Sequence, residues 1–197
     1  LIPEVDRNIL LELENREQIN QKLFVIITSD RGMAGAFNSN VIRIAQKEID
    51  DFGKDKSLLI CIGKKSVNHF KMRNYTIIKE YTDFWSELNY NHAMDMGTHI
   101  ISQFISGSVD QVQVVYNKFI TVGKQEVLNT KFLPITYSIT DSNSFVPTDR
   151  IYEPSKEDVV KEMVPRYLNT QVWQYLLESF ASEQAARMLA MENASSN

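Results

Sequence analysis

A glycine-containing loop between a buried strand and a helix is the first place where this sequence could support chemistry. The loop occupies Ser29–Gly35 and reads SDRGMAG. In α/β folds such a loop lies at a helix N-terminus, where backbone N–H groups attract phosphates. This loop lacks the three-glycine dinucleotide pattern and the Lys-Ser/Thr pair of a phosphate loop, and no acidic residue ends the second strand. A tight turn organised by Asp30 and the glycines is therefore favoured over a nucleotide site.

One segment carries a metal-ligand pattern, with His92, Asp95 and His99 at steps of three and then four. If the segment is helical, these side chains share one face. Three such ligands can form an open metal site. The sequence offers no fourth ligand or catalytic partner for them, so a solvated helix face is favoured and no metal is predicted. No Gly-x-Ser-x-Gly nucleophile motif occurs either, and we expect no catalytic residue and no cofactor.

The elements that position these residues alternate between strand and helix. Apolar, β-branched runs predict strands buried on both faces, and apolar side chains at helical spacing predict the helices between them. This order is typical of an α/β fold with a mostly parallel sheet flanked by helices in three layers, joined by right-handed crossovers. The predicted strands are Lys22–Thr28, Ser57–Ile62, Tyr75–Glu80, Val109–Phe119 and Val127–Tyr137, and the predicted helices are Asn38–Phe52, Lys64–Met72 and Leu88–Ser106.

The character of the chain changes at Pro154, beyond which there is no glycine. Ser155 followed by Asp158 resembles a capping box and predicts a helix start. Proline lacks an N–H and clashes with the preceding helical turn. We therefore predict a short helix over Ser155–Met163 and a separate long helix with Pro165 in its first turn.

The predicted organisation is an α/β domain over residues 1–153 and a helical segment over residues 154–197. A loop rich in Ser, Asn and Asp is predicted for Asp141–Tyr152. Beyond Phe180 small residues become frequent, which permits close approach of another helix.

The composition is that of an ordinary globular protein, with 43% hydrophobic and 23% charged residues among 197. A net charge of -4 argues against a non-specific nucleic-acid or anionic-lipid surface. Phe84 and Trp85 have no interleaved basic residues, so edge packing is favoured over base stacking. The single cysteine, Cys61, lies in an apolar run and predicts a buried thiol. No apolar run is long enough to cross a bilayer.

Three segments share residues, order and approximate spacing with one known family. On these motifs the chain resembles the gamma subunit of bacterial F-type ATP synthase over nearly its whole length. It departs from many members, which have Leu-Cys where this chain has Met33 and Ala34. The matching segments are Ile27–Gly32 with Gly35, Phe37 and Asn38; Val115–Phe119; and Ala181–Met188 continuing through Met191–Ala194.

The resemblance implies a non-catalytic rotor. In that family an N-terminal and a C-terminal helix form a coiled coil inside the ring of alpha and beta subunits, above a parallel-sheet foot domain. The rotor transmits rotation between the membrane c-ring and the catalytic beta subunits, and so couples proton transport to ATP synthesis at the cytoplasmic face of the bacterial plasma membrane. The chain begins at Leu1 rather than Met, which indicates a fragment, and the resemblance implies a central fragment that lacks most of both terminal helices.

The resemblance also implies partner contacts. We expect Glu183, Gln184 and Arg187 to contact the beta subunits, since an arginine fork grips a carboxylate well. Taken alone, the same segment is compatible with an exposed helix carrying an i,i+4 ion pair. Asp30 and Arg31 are expected to contact the epsilon subunit or the c-ring.

Two alternatives stay open at this point. One is a nucleotide- or small-molecule-binding α/β enzyme, which needs a convergent polar pocket at the strand ends. The other is a coiled-coil adaptor, which the helix after Pro165 supports.

Overall fold

A five-stranded sheet lies between two layers of helices. The computed structural model describes residues 16, 18–135, 153 and 155–196. In chain order the elements are β1 (Lys22–Ile27), α1 (Phe37–Phe52), β2 (Ser57–Ile62), α2 (Lys64–Lys71), β3 (Ile77–Tyr81), α3 (Tyr90–Ile105), β4 (Gln111–Thr121), β5 (Lys124–Leu133) and α4 (Lys156–Ser195). The strand order is β3-β2-β1-β4-β5, in which β1 to β4 are parallel and β5 runs antiparallel to β4. The predicted α/β fold is confirmed.

The two faces of the sheet bury different side chains of the same strand. In β1, Leu23, Val25 and Ile27 belong to the apolar core shared with α3 and α4. Phe24 and Ile26 belong to a second core shared with α1 and α2. Alternate residues of an extended strand point to opposite faces, so a continuous apolar run is what a sheet covered on both sides requires.

The C-terminal segment differs from its prediction. The chain forms one continuous helix of 40 residues, with Pro165 inside it, so the prediction of two helices is wrong. Val160, Val164, Leu168 and Val172 are all buried and step by four across the proline. Burying each such side chain is worth about 1.5–3 kcal/mol, whereas an interior proline costs about 3 kcal/mol. The apolar stripe therefore outweighs the break.

The start of α4 agrees with the prediction, because the Asp158 N–H donates to Ser155 Oγ at 3.1 Å. The loop predicted for Asp141–Tyr152 lies outside the described residues. The fifth strand begins three residues earlier than predicted and ends at Leu133, short of the predicted Tyr137. Within the described ranges, no helix combines the length and the apolar character needed to cross a membrane.

Cys61 in β2 is fully buried, as predicted. Burial raises the pKa of its thiol to about 12, so the reactive thiolate is nearly absent at neutral pH. We expect a disulfide-exchange reagent at mildly alkaline pH to leave the native protein unlabelled and to label one thiol per chain in denaturant. The reaction is followed by the absorbance of the thiol that the reagent releases. Labelling of the native protein at the rate of free cysteine would contradict this prediction.

Candidate functional site

An open cleft of about 420 Å³ lies at the carboxyl ends of β1, β2 and β3 and is closed on one side by α4. The chain order of the strands reverses at β1, which lies between β2 and β4. Open α/β sheets bind ligands at such a switch point, here between β1 and β4, and the cleft adjoins it on the β1 side. Ser29–Arg31 and residues 179–187 both line the cleft. Two of the three segments that carry the family resemblance therefore meet at this edge of the sheet.

The Asp30 carboxylate joins the loops that follow three different strands. Its Oδ1 accepts a hydrogen bond from the Lys64 N–H at 2.9 Å, and its Oδ2 accepts one from the Asp83 N–H at 2.8 Å. Lys64 Nζ also lies 2.5 Å from Asp83 Oδ1. The hydrogen bond between these two side chains raises the pKa of Lys64 and lowers that of Asp83. The prediction that Asp30 organises a local turn is wrong, because its carboxylate instead binds the loops after β2 and β3.

The loop after β1 satisfies its polar groups internally. Asn38 Oδ1 accepts from the Ser29 N–H at 2.9 Å, and Ser29 Oγ donates to the Arg31 carbonyl at 2.8 Å. Met33 and Gly35 have φ of 60° and 52°, which lets the loop double back into α1. These hydrogen bonds give the loop a defined shape.

The N-terminus of α2, which also faces the cleft, is already occupied. The Lys64 N–H donates to Asp30, the Lys65 N–H donates to the Ser29 carbonyl at 3.2 Å, and the Ser66 N–H donates to Thr28 Oγ1 at 3.0 Å. A phosphate site at a helix N-terminus needs these donors free. The geometry thus favours the structural turn over nucleotide binding.

Arg187, Glu183 and Gln184 form a polar cluster on the α4 side of the cleft. The Arg187 guanidinium pairs with Glu183 one turn earlier in the helix, and its Nε donates to Glu183 Oε1 at 3.1 Å. Its Nη1 donates to the Gly32 carbonyl at 2.9 Å. Gln184 Nε2 donates to Glu183 Oε2 at 2.7 Å. The side chains of Glu183 and Arg187 are 8% and 17% exposed, so the i,i+4 pair is largely removed from water.

The predicted contact residues all line this one cleft, namely Asp30, Arg31, Glu183, Gln184 and Arg187. Arg31 and Gln184 are exposed, whereas Glu183 is buried.

Sequence reasoning missed Trp85 as part of the cleft. Its ring stacks on Phe84 with centroids 4.7 Å apart and lies nearly parallel to Phe180 of α4 at 6.2 Å. The predicted edge packing of Trp85 is confirmed. Its place just beyond β3 was the available signal, because the carboxyl ends of parallel strands share one edge.

The histidine triplet of α3 forms no metal site. His92 Nδ1 accepts from the Asn89 N–H at 3.3 Å as part of the helix cap. Burial, and then the Asp95 carboxylate, raise the pKa of Tyr81 to about 12. His99 Nε2 is buried without a hydrogen-bond partner. In the part of the chain that the structure describes, no three metal-binding side chains cluster.

Comparison with known proteins extends these observations. A family model described as ATP synthase matches residues 3–197. The ATP synthase gamma chain of Chloroherpeton thalassium is 39% identical over 208 residues, covering 98% of this chain and 68% of that protein. That of Prosthecochloris aestuarii is 40% identical over 202 residues, covering 100% of this chain and 68% of the relative. This chain thus spans about two thirds of their length.

Solved structures share the fold. A chain from the central stalk and c-ring structure of the Tetrahymena thermophila mitochondrial ATP synthase superposes with a TM-score of 0.75 at 24% identity, covering 96% of this chain and 85% of that one. A rotor chain of the Euglena gracilis mitochondrial ATP synthase superposes with a TM-score of 0.65 at 19% identity, covering 97% of this chain and 75% of that one. At these identities the structural likeness supports the fold, and the sequence matches establish the family. The chain belongs to the ATP synthase gamma chain family.

Proposed function

We propose that this chain is the central rotor stalk of a proton-translocating F-type ATP synthase and has no catalytic activity of its own. The observation that carries the proposal is the 39% identity to a gamma chain over 98% of this chain. The architecture suits the task, because a helix of 40 residues is seated along its first half in the core of an α/β domain. The last turn of that helix is exposed.

The proposed mechanism is allostery by differential contact. A rotating asymmetric shaft presents different surfaces to each catalytic beta subunit in turn. It shifts a subunit between conformations only by as much as its contacts with those conformations differ in free energy. The proposed partners are the alpha, beta and epsilon subunits and the c-ring, without nucleic acid, at the cytoplasmic face of the bacterial plasma membrane. The α/β domain, residues 1–153, serves as the foot, and residues 154–197 begin the shaft.

We propose the Gln184 surface of α4, together with Glu183 and Arg187, as the contact with the beta subunits. Gln184 is exposed. The contact of Asp30 and Arg31 with epsilon or the c-ring stays a prediction. Both residues line the same cleft as Arg187, so that contact would place its partner beside the beta-facing surface.

The alternative of a small-molecule enzyme finds little support in the cleft. Its acidic side chains are engaged within the chain, as Asp30 binds two backbone N–H groups and Asp83 and Glu183 form ion pairs. A catalytic pocket needs polar groups that converge on a ligand.

Reconstitution tests the proposal. The full-length gene product is mixed with the alpha and beta subunits of the same organism, and co-elution and ATP hydrolysis are measured. We expect one assembly that contains all three chains, and hydrolysis that depends on this chain. The competence of alpha and beta is checked with an established gamma chain. Failure of this chain to co-elute, when that control succeeds, would contradict the rotor function.

A further inference from the structure

The Arg187 guanidinium makes two connections of different kinds. One is within α4, to Glu183. The other crosses 155 residues of sequence to the Gly32 carbonyl at 2.9 Å. A planar guanidinium can hold a carboxylate on one edge and donate to a carbonyl from another N–H, which a lysine ammonium on its flexible stem does less well. The contact therefore ties the helix to the loop after β1 in one orientation.

This tie is the last polar contact between α4 and the sheet layer. One turn earlier, Ser182 Oγ donates to the Asn117 carbonyl at 3.4 Å. Beyond Arg187, within the described part of α4, the hydrogen bonds of side chains stay inside the helix, and residues 191–196 are exposed. Of these polar contacts, the one at Arg187 therefore lies nearest to the exposed residues of α4.

The other side of the contact is itself firmly held. Gly32 belongs to the loop that Asp30 fixes to the segments after β2 and β3 and that Asn38 fixes to α1. A pull on the Gly32 carbonyl is therefore shared by the ends of three neighbouring strands. A mobile loop at this position would let the helix twist without moving the sheet.

We propose that Arg187 is a positioning residue that forms the joint between shaft and foot, making α4 and the α/β domain turn as one body. The proposal rests on the rotor function proposed above. It differs from a contact with the beta subunits, because the joint exists within this chain alone.

The decisive variant is Arg187→Lys, which keeps the positive charge but not the fork. Hydrogen exchange is measured on the full-length protein without partners. Hydrogen bonds with an ionised donor are stronger than neutral ones, so we expect amides of residues 29–36 and 183–190 to exchange at least about tenfold faster, with β2 unchanged. Glu183→Gln, which weakens the hold on the guanidinium, should act in the same direction.

The same helix offers a matched control. Arg166 pairs with Glu162 at i,i+4, with Nη2 2.6 Å from Oε1, but these side chains are 76% and 67% exposed and neither lines the cleft. Arg166→Lys should leave the exchange of residues 29–36 unchanged.

Coupling is then measured in the assembled synthase as the ratio of ATP-driven proton pumping to ATP hydrolysis. We expect Arg187→Lys to lower this ratio severalfold and Arg166→Lys to leave it unchanged. If hydrogen exchange of residues 29–36 is unchanged in Arg187→Lys, the proposed joint is contradicted. The proposal is also contradicted if this exchange is faster but the ratio of proton pumping to ATP hydrolysis is unchanged, because the contact would then stabilise the structure without serving coupling. If the wild-type chain does not assemble with its partners, the rotor function fails, and this proposal fails with it.

Discussion

Gly63→Ala is expected to destabilise the protein by about 2–6 kcal/mol. Gly63 directly follows β2 with φ 90° and ψ 143°, a conformation that costs other residues roughly 1–3 kcal/mol. A Cβ at this position would also collide with the carbonyl group of Thr28, and overpacking of this kind adds about 1–3 kcal/mol. With a total stability of about 5–15 kcal/mol for a typical domain, the change removes a large share of it.

Neither neighbour can move aside cheaply. The Thr28 N–H donates to the Ile62 carbonyl at 2.8 Å, and the Gly63 N–H donates to the Tyr81 carbonyl at 2.8 Å. A shift of either backbone would break pairing at the centre of the sheet. The loop that carries Asp30 starts at the same point, so the substitution also disturbs the cleft.

The measurement for Gly63→Ala is urea unfolding followed by circular dichroism. Gly123→Ala is the control, because Gly123 lies in the β4–β5 turn with open space around it and an ordinary φ. The urea midpoint of Gly123→Ala should correspond to a free energy of unfolding within about 0.5 kcal/mol of the wild-type value. Equal midpoints for the two variants would refute the steric argument.

Local pattern was sufficient for most of the fold. Apolar runs predicted β1 and β2, since a strand covered on both faces must be apolar at every position, whereas β3 and β5 carry exposed polar residues. Helical spacing predicted α1 to α3. It failed at Pro165, where the local rule of a helix break was overridden by burial against α3 and the sheet. Propensity is a weak guide wherever tertiary packing supplies several kcal/mol.

The candidate site was less accessible from sequence. The sequence identified the motif residues of the loop and of α4, but it did not predict that they contact each other. The bond from Arg187 to Gly32 joins positions 155 residues apart, and no period or spacing encodes such a contact. Asp30 looked like a residue of a local turn, although its carboxylate serves two other loops. The same fold rule that places strand ends together would have brought Asp83 and Trp85 to this edge.

The long helix is held to the α/β domain in two different ways. Its first half is anchored by apolar burial, which is strong and non-directional. Its polar tie at Arg187 is directional and fixes rotation about the helix axis. Loss of the apolar anchor should therefore cost folding stability, while loss of the tie should cost coupling before it costs stability.

Leu176→Ala tests the apolar anchor and is expected to cost about 2–5 kcal/mol, the range for removing a fully buried leucine. Leu176 is 0% exposed and lies in the core that joins α4 to the sheet. The adjacent Leu177 is 42% exposed, so Leu177→Ala should cost clearly less, on the order of 1 kcal/mol.

The two alanine variants have the same helix propensity change, so their difference isolates burial. Urea unfolding of the full-length protein gives the free energies, and hydrogen exchange shows whether α3 loosens with α4. We expect the amides of α3 to exchange faster in Leu176→Ala, because both helices share one core. Similar free energies for the two variants would mean that α4 is not seated on the sheet as described, and the separation between an apolar anchor and a polar joint would fall with it.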